Sequence, residues 1–182
     1  MKLFHARTNV KAPANALIYP PGKIYDAVHG YAVAASLQAE ALPQNLIARC
    51  QDGLSKSDLS RLDYLHSFGG IPVFSNRFLD AMGELGGEIE YRKTQVLMGG
   101  ERFEFNIGRV LNRMALVDYE KSGIGNGNFL AGTYFLRDLA PGFLIARERN
   151  PRCQSVFAVT EDFVNLAGKH RLHILFKEVA YA

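Results

Sequence analysis

Apolar and polar residues alternate along EIEYRKTQVLM (88–98) and RFEFNIGRV (102–110), and more weakly along the opening KLFHA (2–6). A period of two is the mark of a strand with one buried face. Gly99-Gly100 separates the first two segments, and that turn signal predicts a hairpin. Glu88, Glu90 and Glu104, set between Ile89, Tyr91, Phe103 and Phe105, read as its polar face. Shorter apolar runs, NLIARC (45–50), IPVF (71–74), NFLAGTYFL (128–136), PGFLIARER (141–149), SVFAV (155–159) and RLHILFKEV (171–179), predict further strands.

Elsewhere the spacing turns helical. Behind Ser75, Phe78, Leu79, Met82 and Leu85 share one helical face. Ser75 is the expected cap, Phe74 and Leu79 take the positions of a hydrophobic staple, and Gly86-Gly87 is the expected stop. The same order recurs near the C-terminus: SVFAV, Thr160 as cap, EDFVNLA as a short helix with Glu161 and Asp162 in its first turn, Gly168 as stop, then a strand. Val159 and Val164 repeat the staple. The alanine-rich stretch Ile24 to Leu42 predicts a helix despite Gly30, ended by Pro43. Ser57, with Leu59, Leu62 and Leu65 behind it, predicts another.

The fold class is α+β: a mixed, largely antiparallel sheet of five or more strands with short helices packed on it, including two strand-helix-strand units in the C-terminal two thirds. The 182 residues fit a single domain, 1–182, and 48% hydrophobic composition supports one core without a metal or disulfide staple. Cys50 and Cys153 lack paired metal-site or redox spacing, and with no signal-peptide apolar region they predict a reduced, cytoplasmic protein. No apolar run reaches 18 residues, so no membrane partner is expected. A formal charge of +3 falls short of a concentrated basic footprint, and no nucleic-acid partner is expected.

Candidate chemistry is sparse. His170 and His173 form H-x-x-H in a segment read as strand, where that offset points to opposite faces. The glycine-rich SGIGNGN (122–128) is followed by a strand pattern and lacks G-K-[ST], so it reads as a surface loop and no cofactor is expected. Cys153 lies in the loop ERNPRCQ near Arg149 and Arg152, which read as a solvated loop; the alternative is that they face the thiol and lower its pKa. Arg147, Arg149 and Arg152 cluster, and Arg109 and Arg113 sit near Asn106 and Asn112, without a recognition-helix or stacking motif.

GGIPVFSNRFLDAM, RFEFNIGRVLNRMALVDYEKS and VFAVTEDFVNLAGKHRLHILF together resemble a family of bacterial immunity proteins encoded beside polymorphic toxins. The matched positions are Pro72, Val73, Ser75, Asn106, Asp118, Tyr119 and Ser122. Residues 62–182 form the family-like core, and 1–61 a variable N-terminal part. NRMAL before Asp118 and the glycine-rich loop depart from the family pattern. The resemblance implies a non-enzymatic cytoplasmic protein that neutralises a cognate toxin, encoded by the adjacent gene, through stoichiometric contact. It also implies that the matched residues hold the fold while loops meet the partner. Asn126, Asn128, Arg149 and Arg152 are the expected contact residues. The rival class is a small hydrolase or transferase using Cys153 or an acid–histidine pair.

Overall fold

The computed structural model describes residues 1–9, 16–85, 87–123 and 133–182. The α+β class holds, but the strands divide into a closed barrel and an open sheet instead of forming one sheet. The barrel takes β2 (Leu17–Ile18), β3 (Ile47–Cys50), β4 (Tyr64–Ser67), β5 (Ile71–Ser75), β6 (Ile89–Met98) and β7 (Glu101–Val110), in the order β2-β3-β6-β7-β5-β4. The open sheet takes β1 (Leu3–Arg7), β8 (Arg113–Met114), β10 (Ile145–Glu148), β11 (Phe157–Thr160) and β12 (Leu175–Glu178), ordered β12-β1-β11-β10-β8. A small parallel pair joins β9 (Tyr134–Phe135) to β13 (Ala180–Tyr181).

The expected hairpin is the backbone of the barrel. β6 and β7 pair without interruption from Ile89↔Val110 to Met98↔Glu101. Gly99 and Gly100 turn at φ 55° and 83°, values that suit a two-residue hairpin loop whose twist matches its strands. The rest of the ring depends on distant partners: β3 joins β6 in parallel, and β2 joins β4 in parallel through Leu17↔Ser67.

Both strand-helix-strand units have one topology. In the first, β5 leads through α3 (Asn76–Met82) to β6, and β7 lies between the two strands, antiparallel to each. In the second, β11 leads through α4 (Glu161–Lys169) to β12, and β1 lies between them in the same way. Their helices meet: Phe78 of α3 lies 6.1 Å from Phe163 of α4, ring centre to ring centre. Ser75 accepts from the Phe78 amide at 3.0 Å and Thr160 from the Phe163 amide at 3.4 Å, so both predicted caps are in place.

Three apolar clusters follow from this layering. Leu17, Ala48, Leu65, Val73, Val96 and Ile107 gather with Val28, Tyr31 and Ala32 of α1 (Lys23–Ala32). Phe74, Phe78, Ile145, Phe157, Val159 and Phe163 join the barrel wall to the open sheet through α3 and α4. Leu3, Leu116, Val117, Ala146 and Ala158 line the opposite face of that sheet. At about 25 cal/mol per Å² of apolar surface, burial of this extent is the main stabilising term.

Several element bounds are corrected. The Ile24–Leu42 helix stops at Ala32, because the chain reverses and Leu37 packs into the space beside Gly30, where a Cβ would stand 3.1 Å from Leu37 Cδ1. The helix expected behind Ser57 is α2 (Lys56–Arg61), capped by Ser55 in a reciprocal box with Asp58. Leu62 ends it and Leu65 belongs to β4, since pairing with β5 wins over helical spacing. α4 continues through Gly168 to Lys169, and Arg171 takes the left-handed conformation at φ 53°. Strand β12 covers only Leu175–Glu178 of the expected 171–179, so neither His170 nor His173 is in a strand. Among the described residues, no helix is long and apolar enough to cross a membrane.

Candidate functional site

β10 ends with two charged residues side by side, Arg147 and Glu148, and both are fully buried. Successive residues in a strand face opposite ways. Ile145 and Arg147 point toward the barrel-facing cluster, whereas Ala146 and Glu148 point toward the far face. Each charge must therefore be satisfied separately, since a buried charge without partners costs far more than a buried apolar group.

Glu148 is satisfied by donors from two loops. Its Oε2 accepts the amides of Leu116 at 2.7 Å and Val117 at 3.0 Å. Its Oε1 accepts the Asn150 amide at 2.8 Å and the Tyr119 hydroxyl. Burial and then this carboxylate raise the Tyr119 pKa, so the phenol stays a donor. One side chain thus holds the segment after β8 and the turn after β10 in fixed relation.

Arg147 is satisfied differently. Its Nη1 donates to the Gln154 carbonyl at 2.6 Å and its Nη2 to the Gly70 carbonyl at 3.1 Å. Its guanidinium lies 5.2 Å from the centre of the Phe157 ring, while Nε has no partner among the described residues. Burial, and then Arg113, lower its pKa to about 9. The expected Arg147, Arg149 and Arg152 cluster is corrected here: Arg147 is internal, and Arg149 and Arg152 are exposed on the turn that follows β10. Asn126 and Asn128 lie outside the described residues.

Cys153 sits inside that same turn and is fully buried. Burial raises its thiol pKa, Glu148 raises it further, and Arg152 only partly offsets them. The solvated-loop reading fits the exposure of Arg149 and Arg152, and the alternative of a lowered thiol pKa does not hold. Desolvation also raises the Cys50 thiol, to about 11. Neither site favours the thiolate that a nucleophilic cysteine needs.

The matched motif residues are placed in the framework. Pro72 lies opposite His66 and Val73 opposite Leu65 within the barrel, both buried. Asn106 donates to Asn76 Oδ1 at 2.8 Å, tying β7 to the start of α3. Asp118 accepts the Lys121 amide at 2.8 Å, and Ser122 accepts the Tyr134 amide at 2.9 Å. Ser75, besides capping α3, donates to Asp63 at 2.6 Å.

That last bond leads to a second buried acid, which sequence reading missed. Asp63 also accepts from the His173 amide at 2.7 Å and from Arg77 Nε at 2.9 Å, with Arg77 Nη2 on its other oxygen. Burial would raise its pKa, but Arg77, Ser75 and the His173 amide together hold it below the ordinary aspartate value. Glu88 was misread in the same way: its carboxylate accepts the Leu144 amide at 2.8 Å and the Ile145 amide at 2.9 Å, stapling the barrel to β10. An acid preceding a strand gives no sign that main-chain donors elsewhere will meet it.

An open cleft of about 250 Å³ lies beside Asp63, lined by Leu62, Ser75, Arg77, Phe103 and Phe105. Asp63 is already met by its own neighbours, and the other carboxylate on the cleft, Glu104, is exposed and accepts from Gln95 Nε2 at 2.8 Å. Burial lowers the His66 pKa to about 4, with Arg7, Arg147 and His5 adding to the effect, and its Nδ1 meets the Tyr64 hydroxyl at 2.9 Å. Among the described residues, no three His, Cys, Asp or Glu side chains gather in a metal-binding group. No family model, curated protein or solved structure matches the chain.

Proposed function

We propose that the chain is an immunity protein, which binds a cognate bacterial toxin encoded by the adjacent gene and neutralises it in the cytoplasm by stoichiometric contact. The observation that carries this reading is the commitment of Glu148. Its donors bind the 116–119 segment and the turn after β10 to a rigid strand, and that turn exposes Arg149 and Arg152. Fixed loops on a stiff scaffold suit recognition, because little ordering entropy remains to be lost on binding. The raised thiol of Cys153 supports the same reading.

The test is calorimetry of the purified chain with the product of the neighbouring gene. The expected result is a one-to-one complex at micromolar concentration or tighter, with an interface on the order of 1,600 Å². Absence of a complex at that concentration sinks the reading. Cys153→Ala separates it from the enzymatic rival: toxin neutralisation persists in the variant if contact is the mechanism, and is lost if the thiol performs turnover.

A further inference from the structure

Among the described residues, Phe68 is a bulky aromatic out of place on the surface, being 51% exposed although Ser67 and Gly70 beside it are buried. It occupies a tight turn between β4 and β5 in which Gly69 and Gly70 both have positive φ, 75° and 76°. A side chain at Gly70 would overlap the backbone of Ser155, and one at Gly69 would overlap the Tyr25 hydroxyl. The turn is therefore clamped from two sides and holds Phe68 outward. Tyr25 packs against it with ring centres 5.7 Å apart, and His29 lies 5.6 Å beyond Tyr25.

The clamp also joins this turn to the one described above. Ser155 belongs to the turn that carries Arg149 and Arg152, and Arg147 reaches under it to the Gly70 carbonyl. The adjoining turn thus brings two exposed cations, Arg149 and Arg152, onto the element that clamps Gly70. Among the described residues, Arg147 has no carboxylate as a hydrogen-bond partner, Asp26 is the acid acting on Tyr25 and His29, and Glu148 acts with Arg152 on Cys153. An exposed aromatic held by a clamped turn, with two exposed arginines on the adjoining turn, has the composition of an interface anchor.

We infer that Phe68, with Tyr25 and His29 beside it and Arg149 and Arg152 on the adjoining turn, is the docking surface for an acidic face of the cognate toxin. This rests on the immunity reading. The partner supplies an apolar socket for Phe68 and carboxylates for the arginines.

The experiment measures affinity of the full chain for the adjacent gene's product by calorimetry. Phe68→Ala weakens binding by about tenfold or more, as loss of an anchor does. Arg152→Glu weakens it too, by a factor that shrinks as salt rises. Leu175→Ala, on β12 and 46% exposed, leaves the affinity unchanged. If Phe68→Ala and Arg152→Glu both bind within about twofold of the parent, the docking surface is refuted while the immunity reading stands. If the parent itself forms no complex, both fall. A basic aromatic surface also suits single-stranded nucleic acid. Tight binding of a poly-dT oligonucleotide that Phe68→Ala abolishes would overturn the proposal in favour of that class.

Discussion

Asp63 and Glu148 are equally hidden from solvent, at 1% and 0% exposure, yet they are held by different kinds of partner. Asp63, between α2 and β4, meets an arginine, a hydroxyl and one amide. Glu148, at the end of β10, meets three amides and one phenol, and no cation, among the described residues. An acid answered by side chains ties elements together. One answered by main-chain amides dictates the path of the backbone that supplies them. The barrel half therefore uses its buried acid as a joint, and the sheet half uses its own to shape loops.

Breaking the second acid gives the largest effect. Glu148→Leu leaves main-chain donors buried without acceptors and costs about 4 kcal/mol in chemical denaturation. Glu148→Gln, which keeps an acceptor, costs about half as much. Equal losses in the two variants would mean that shape, and not acceptance, is what matters there.

Asp63→Asn costs about 2 kcal/mol, mostly through weaker acceptance from Ser75 and the His173 amide. The Arg77 side chain is 51% exposed, so water screens its share of the pair. Because the folded pKa of Asp63 lies below its unfolded value, its contribution is present above the ordinary aspartate pKa and is lost as pH falls through the folded one. Denaturation followed from about pH 6 to about pH 2 shows a shallower acid decline in Asp63→Asn than in the parent.

Tyr119→Phe removes a single donor from Glu148 and costs about 1 kcal/mol by the same measurement. His66→Gln changes least at neutral pH. Its imidazole has a folded pKa near 4 against an ordinary 6.5, so the unfolded chain takes up the proton first. Stability accordingly falls as pH drops from 6.5 toward 4, and the variant lacks that part of the decline. An unchanged slope would show that His66 is hydrated in the folded state.

Local grammar in this chain was legible and long-range closure was not. The β6–β7 hairpin follows from alternation and a Gly-Gly turn, and the caps Ser75 and Thr160 follow from residue type before an apolar helical face. The parallel joints β2–β4 and β3–β6 leave no sequence signal, because strand patterns do not encode which distant strand completes a ring. The α1 boundary failed where propensity met a tertiary contact, Leu37 against Gly30. At the candidate site, the exposed arginines were legible as charge on a loop. Glu148 was not, since LIARER shows no difference between a solvated acid and one enclosed by amides.

Among the described residues, the ring of β2 through β7 is completed by the pairing of Leu17 with Ser67, reinforced by the Ala16 amide on the His66 carbonyl and the Ser67 hydroxyl on the Leu17 carbonyl. The β6–β7 ladder, paired continuously from Ile89 to Met98, is the part of the cylinder that yields last. Transient parting of the Leu17–Ser67 joint would loosen the turn that presents Phe68, the next residue along, while leaving the opposite wall shut.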